Sequence, residues 1–287
     1  MARRNNSERV GASQPDAPTP PPAVTAQQTD DIFSFISPTE FVELPSKGLL
    51  YNENHPLHGV DTVEIRHMTA KEEDILTSEA LIKKGVALER LVDSLVVDKK
   101  VKASQLLIGD KNAVLIAARI TGFGTDYNTS ITCPTCLTSN ETVLDLGALA
   151  TKEMEEAAAD VERLDNGNYL ITFDEYKGLT VEVKLLTGAD EKKIAQTREK
   201  RKRLKLPDTH ITDQLQAIIT QVNDISEAAL LKQFIEKCPT RLSRAIRAKY
   251  ETIVPDLDLT FDFECDGCAH VGKVGMPITA EFFWPKS

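Results

Sequence analysis

A chain of 287 residues with 41% hydrophobic side chains has material for one large or two modest domains with a buried core. Its formal charge of −10 repels a phosphate backbone, so wholesale nucleic-acid binding is disfavoured. No apolar run approaches the ~18 residues of a spanning helix. The Arg3-Arg4 pair lacks the apolar stretch that would follow it in an export signal, so the expected compartment is a cytosol.

Residues 1–30 are rich in Pro, Ser, Gln and Asn, and Pro18 to Pro22 favours extended polyproline; a disordered tail is expected. Order is expected from near Ile32. Phe41 to Leu44 reads as a strand or arm before a turn at Ser46–Gly48. Asp61 to Met68 alternates apolar and polar residues, as a half-buried strand does. Thr69-Ala70-Lys71-Glu72 fits a capping box and starts a helix to about Ser78. Leu88, Leu91, Val92, Leu95 and Val96 recur at helical spacing, and Asp110 to Ile120 predicts another helix ending at Gly122. Tyr127 to Thr132 reads as a strand running into Cys133. Lys152 to Arg163 predicts an acidic, exposed helix, and Tyr169 to Phe173 a strand.

The same order then recurs. Thr180 to Lys184 parallels Thr62 to Arg66, and Thr187 to Asp190 parallels the capping box at the same offset of 118. Leu215 to Val222 parallels Leu88 to Leu95 as a helical section. Leu242 to Ile253 precedes Asp258 to Glu264, which leads into Cys265 as Asn128 to Thr132 leads into Cys133. The expected fold is α+β with two related strand-helix-strand halves. The expected divisions are a tail at 1–30, a first half at 31–150, a connector of acidic helix and strand at 151–177, and a second half at 178–287.

Four of the five cysteines form two CxxC pairs, Cys133/Cys136 and Cys265/Cys268, each directly after a predicted strand. Zinc favours a tetrahedron of four soft ligands, and each CxxC turn presents two sulfurs on one side of a tight loop. One shared structural zinc site, with a zinc-ribbon-like knuckle from each half, is therefore expected. Four cysteinates leave no coordination position for water or substrate, so chemistry at the metal is not expected. The rival readings are two local disulfides or redox-active pairs. A redox CxxC opens a helix, whereas Leu137 to Asn140 and Ala269 to Gly272 read as hairpin returns. Both knuckles lack the glycine that often follows the second cysteine. His270 is an alternative ligand but reads as a surface residue, and Cys238 reads as a buried small hydrophobe.

Arg198 to Lys205 is a local basic run without interleaved aromatics, and reads as a solvated helix end. No P-loop, HExxH, GxSxG or paired catalytic carboxylates are present, so no enzyme is expected. Ala280 to Trp284 concentrates aromatics and reads as core packing or a closing strand, with a docking edge as the alternative.

Glu43 to Tyr51 and Val63 to Leu76 resemble the baseplate hub subunit family of T-even-like contractile-tailed phages. Leu106 to Asn112 and Arg119 to Gly122, followed by the first CxxC, are similar too. The resemblance is best over roughly 41–136 and thinner beyond. It implies a non-enzymatic baseplate subunit or assembly factor in the virion tail, assembled in the host cytoplasm and docked to other tail proteins. It carries over no catalytic residues. The other class of function is a zinc-ribbon nucleic-acid or transcription-associated module, which the acidic charge opposes.

Overall fold

The structure, a computed structural model, describes residues 38–152, 160–276, 278 and 280–283. The tail expected at 1–30 and the terminal Trp284 lie outside the described residues. The fold is mixed helix and strand, as expected, and every sheet is antiparallel.

Strands β1 (Thr39–Glu43) and β2 (Thr62–Arg66) pair with Phe41 opposite Glu64. Alternation turns Val63 and Ile65 of β2 into the core. Helix α1 (Ala70–Thr77) starts at the predicted capping box. The Thr69 N–H and hydroxyl both donate to the Glu72 carboxylate, at 3.0 and 2.5 Å. That buried carboxylate also accepts the Ser94 hydroxyl at 2.5 Å and lies 3.5 Å from the Arg66 guanidinium. The short α2 (Glu79–Lys83) and α3 (Ala87–Leu95) follow. After α3 the chain returns beside β2, where Val96 bridges Ile65.

Helix α4 (Ile108–Phe123) runs through the middle of the core, burying residues all round, including Asp110, Lys111 and Arg119. Its first turn clamps the long loop between β1 and β2. Asp110 accepts the Ser46 N–H (2.9 Å), the Ser46 hydroxyl (2.6 Å) and the Tyr51 hydroxyl (2.6 Å). Tyr51 in turn accepts the Leu107 N–H at 3.1 Å. Gly48 makes the tight loop possible, since its φ is +69° and a Cβ there would lie 2.3 Å from the Val60 carbonyl oxygen. Gly109 permits α4 to meet Pro255, whose carbonyl oxygen would lie 2.0 Å from an added Cβ. One buried polar network thus ties the segment around Glu43–Tyr51 to Leu106–Asn112.

The first hairpin is β3 (Asp126–Thr132) and β4 (Ser139–Asp145), followed by β5 (Thr151–Lys152). Strands β6 (Val161–Arg163), β7 (Tyr169–Phe173) and β8 (Leu179–Val183) come next. The acidic helix predicted over Lys152–Arg163 is corrected at both ends. Lys152 belongs to β5, Val161 to Arg163 form β6, and 153–159 fall outside the described residues. The overlooked signal was Asp165-Asn166-Gly167, a hairpin turn in which Gly167 takes φ +84° and the Asn166 side chain accepts the Asn168 N–H.

Helix α5 (Gly188–Arg203) repeats the first capping arrangement. The Thr187 N–H and hydroxyl donate to Asp190 at 3.2 and 3.0 Å, and the Lys184 ammonium lies 2.7 Å from the same carboxylate. Helix α6 (His210–Ile218) and β9 (Ile219–Val222) follow. Leu215–Val222, expected as one helical stretch, therefore divides into helix and strand, because Ile219 and Val222 complete the sheet order β6-β7-β8-β9. Helices α7 (Ala228–Lys237) and α8 (Thr240–Ile253) lead to β10 (Asp256–Leu257), which pairs with β5. The second hairpin is β11 (Thr260–Glu264) and β12 (Val271–Gly275).

Ala280–Phe283 form a 3-10 turn rather than a closing strand, and Phe282 and Phe283 are fully buried. Phe282 packs 5.0 Å from the Tyr127 ring, and its carbonyl accepts Arg119 Nε at 3.3 Å. Core packing is the correct reading, but the core in question surrounds α4 and β3.

Glu72 and Asp190 set an acid limit on stability. Burial raises both pKa values, but hydrogen bonds outweigh it, chiefly from Ser94 and Thr69 for Glu72 and from Lys184 for Asp190, so both carboxyls sit below their ordinary range. Depressed folded values contribute stability above the unfolded pKa values, near 4.3 and 3.9, and lose it as pH falls through the folded ones. The stability gap between the wild type and a Glu72→Gln, Asp190→Asn double variant is expected to be constant above about pH 5 and to shrink below about pH 4. Urea melts across that range check it.

Candidate metal centre

The two hairpins carry the same turn. In the first, the Leu137 N–H donates to the Cys133 carbonyl (3.0 Å) and the Cys133 N–H to the Thr138 carbonyl (2.9 Å). In the second, the Ala269 N–H donates to the Cys265 carbonyl (2.8 Å) and the Cys265 N–H to the His270 carbonyl (3.0 Å). The Thr135 and Gly267 N–H groups each point at the sulfur of the leading cysteine, both at 3.4 Å. Every one of these contacts recurs at an offset of 132.

The hairpins meet sulfur to sulfur. Cys133 Sγ lies 3.7 Å from Cys268 Sγ, and Cys136 Sγ lies 3.5 Å from Cys265 Sγ. All four sulfurs fall within 4.8 Å of one another. Zinc–sulfur bonds of about 2.3 Å in a tetrahedron place sulfurs about 3.8 Å apart, so the donor set fits zinc in number, softness and spacing. Cys133 and Cys265 are buried with Phe263 in a small apolar cluster against Ile131 and Val274; Cys136 and Cys268 face out.

The surroundings lower the pKa of two of the thiols and raise that of a third. The Thr138 hydroxyl lies 3.3 Å from Cys136 Sγ. That side chain and the Thr138 backbone pull the Cys136 pKa down to about 6. Cys268, sharing a hydrogen with Cys136, is pushed up to about 12. Burial opposes ionisation of Cys133, but the N–H groups of Cys136 and Thr135 outweigh it and hold the thiol below its ordinary value.

Sequence reasoning missed Asn140. This buried residue of β4 reaches across the junction: its Nδ2 lies 3.7 Å from Cys265 Sγ and donates to the Thr138 carbonyl at 3.0 Å, while its Oδ1 accepts the Asp266 N–H at 2.8 Å. It orients one knuckle from the other, as outer partners of metal ligands do. The available signal was a polar residue at an inward strand position four residues past Cys136.

His270 is half-buried and lies outside the cluster, contributing its backbone carbonyl to the turn. Cys238 caps the end of α7, half-buried and away from the other sulfurs. The run Arg198–Lys205 forms the last turn of α5 and the residues after it, with Leu204 and Leu206 exposed beside it.

The missing glycines have a visible cost. Leu137 and Ala269 occupy the left-handed region at φ +60° and +53°. Each L-residue there costs about 1 kcal/mol relative to glycine. Leu137→Gly and Ala269→Gly are each expected to stabilise the folded chain by up to about 1 kcal/mol, read as a later urea midpoint with unchanged slope.

Among the described residues, no helix is long and apolar enough to cross a membrane. No curated protein and no solved structure matches the chain. A family model does: that of the T4 bacteriophage base plate protein matches residues 38–284, running from β1 through both knuckles to the buried Phe282 and Phe283. The chain belongs to the T4 bacteriophage base plate protein family.

Proposed function

We propose that this chain is a structural, non-enzymatic component of a contractile phage tail baseplate, a hub subunit or assembly factor. One zinc ion, held by Cys133, Cys136, Cys265 and Cys268, rivets two related halves, 31–150 and 178–287, across a connector at 151–177. The observation that carries the rivet is the convergence of four sulfurs from hairpins 129 to 135 residues apart.

The repeat is supported by paired details rather than by element order alone. Arg66–Glu72 and Lys184–Asp190 are the same ion pair at the same offset of 118, each closing a capping box with Thr69 or Thr187. Val96 bridges Ile65 as Ile219 pairs with Val183, so each helical section returns the chain to the same neighbour, as a single bridge in the first case and as strand β9 in the second. Four cysteinates fill the tetrahedral shell, so the metal supplies cross-linking, and the chain's work is docking other tail proteins. Assembly in the host cytoplasm keeps the thiols reduced until the metal binds.

Mass-spectrometric counting of the chain in purified particles and in infected-cell lysate tests the assignment. A fixed copy number in particles makes it a permanent hub subunit, and abundance in lysate with absence from particles makes it an assembly factor. Absence of association with any tail protein in both would sink the baseplate reading.

A further inference from the structure

The two halves differ at one sheet edge. The connector strand β7, which pairs with β8 of the second half as β1 pairs with β2, is flanked on both sides, by β8 and by β6. The Thr172 N–H there donates to the Asp160 carbonyl at 2.9 Å, on the β6 side. Registers place Phe41 where the connector has Leu170, opposite Glu64 and Glu182 respectively, and Glu43 where it has Thr172. Yet among the described residues β1 pairs only with β2.

The direction of its backbone groups follows from the ladder. The Pro38 carbonyl accepts the His67 N–H, and the Leu44 N–H donates to the Asp61 carbonyl, so even-numbered residues of β1 face β2. Thr39, Phe41 and Glu43 direct their N–H and C=O groups outward, with no backbone partner among the described residues. Phe41 is 70% exposed on this edge. Its pairing with β2 has no bulge, and the strand carries no lysine or internal proline, the usual devices that blunt an edge.

We infer that this edge is an interface between two copies of the chain, β1 pairing antiparallel with β1 of a second copy about a two-fold axis at Phe41. The inference rests on the repeat reading above, extended to the connector: β7 stands beside β8 as β1 stands beside β2, and the edge that is open in β1 is the one where β7 takes β6. The sequence Thr39-Glu40-Phe41-Val42-Glu43 is self-complementary in that register. Phe41 meets Phe41 of the other copy with both outward bonds made, Glu40 faces Val42, and Glu43 faces Thr39. No two carboxylates lie directly opposite, as like charges must not. The product is a four-stranded sheet, the same strand number as the β6-β7-β8-β9 sheet, and an isologous contact closes after two copies.

The test uses the full, zinc-loaded chain. Sedimentation at about 50 µM is expected to show a dimer for the wild type and a monomer for Phe41→Asp, which sets two carboxylates against each other. Under glutathione disulfide, Phe41→Cys is expected to form an interchain disulfide at least tenfold faster than Val143→Cys, an exposed position elsewhere. A monomeric wild type, a Phe41→Asp dimer, or equal rates for the two cysteine variants would overturn the pairing. Superposing the two halves in an experimental structure judges the repeat on its own: halves that superpose in a monomer condemn only the edge pairing.

Discussion

Cys265→Ser is expected to abolish stoichiometric zinc binding and to lower the melting temperature by roughly 10 °C, from a loss of about 4 kcal/mol. Under the proposed metal site the ion is the main link between the two hairpins, which otherwise share a small apolar cluster of Cys133, Phe263 and Cys265 and the hydrogen bond from the Asp266 N–H to Asn140. A cross-link spanning more than a hundred residues restrains the unfolded chain by on the order of 5 kcal/mol in the loop-entropy view. Removing one of four thiolates opens the shell to water and forfeits most of that restraint. Cys133→Ser should match it, because the two residues hold equivalent buried positions and make equivalent turns. Cys238→Ser should leave the metal content untouched, as its sulfur stands apart from the cluster. Elemental analysis of reduced, gel-filtered protein gives the answer: one zinc per chain in the wild type and in Cys238→Ser, and far less in the other two. Equal zinc in all four would dissolve the rivet.

The second large effect lies at Asp110. Both oxygens of this fully buried carboxylate act only as acceptors, one from the Ser46 N–H and the other from the hydroxyls of Ser46 and Tyr51. Asp110→Asn sets its N–H₂ group against the Ser46 N–H in one orientation and makes the Ser46 and Tyr51 hydroxyls give up their donor role in the other, and should cost about 2 kcal/mol. Asp110→Ala leaves three donors without an acceptor in a dry site and should cost about 4 kcal/mol. Tyr51→Phe removes a donor and also the acceptor for the Leu107 N–H, with an expected loss of about 2 kcal/mol. Because these groups share one network, the losses in an Asp110→Ala, Tyr51→Phe double variant should fall well short of the sum. Burial raises the Asp110 pKa despite its three hydrogen bonds, so its ionisation costs stability progressively as pH rises through the folded value. A chemical-denaturation cycle on the four proteins measures the coupling; strict additivity would mean the network is not a unit.

How much was legible in advance follows from how local each feature is. The clustering of the four cysteines could be read because the two cysteines of each pair sit three residues apart and the strand ahead of them alternates. The capping boxes could be read because donor and acceptor lie within one turn. Asp110 could not: in sequence it is one carboxylate among many, and its partners stand 59 and 64 positions away. The same holds for Arg119, which is buried against three backbone carbonyls from Gly124, Asp126 and Phe282. Charge patterns default to solvent, and only tertiary contacts overrule them. Leu215–Val222 failed for a different reason. Its apolar residues satisfy both helical and strand spacing, and the vacancy beside β8 decided where the helix stopped.

The seating of Phe282 and Phe283 beside Arg119 and Tyr127 has a consequence for biosynthesis. A polypeptide leaves the ribosome at roughly 5–20 residues per second. Helix α4 and the first hairpin therefore emerge many seconds before the residues that finish their packing and before the second pair of sulfurs. Early segments wired to late ones cannot mature in the order they are made. Nascent chains arrested before Cys265 are expected to remain protease-sensitive across α4 and β3, and to gain resistance only once residue 283 has cleared the exit tunnel. Such a chain commits to its final form in one late step, after Cys265 and Phe282 have been translated.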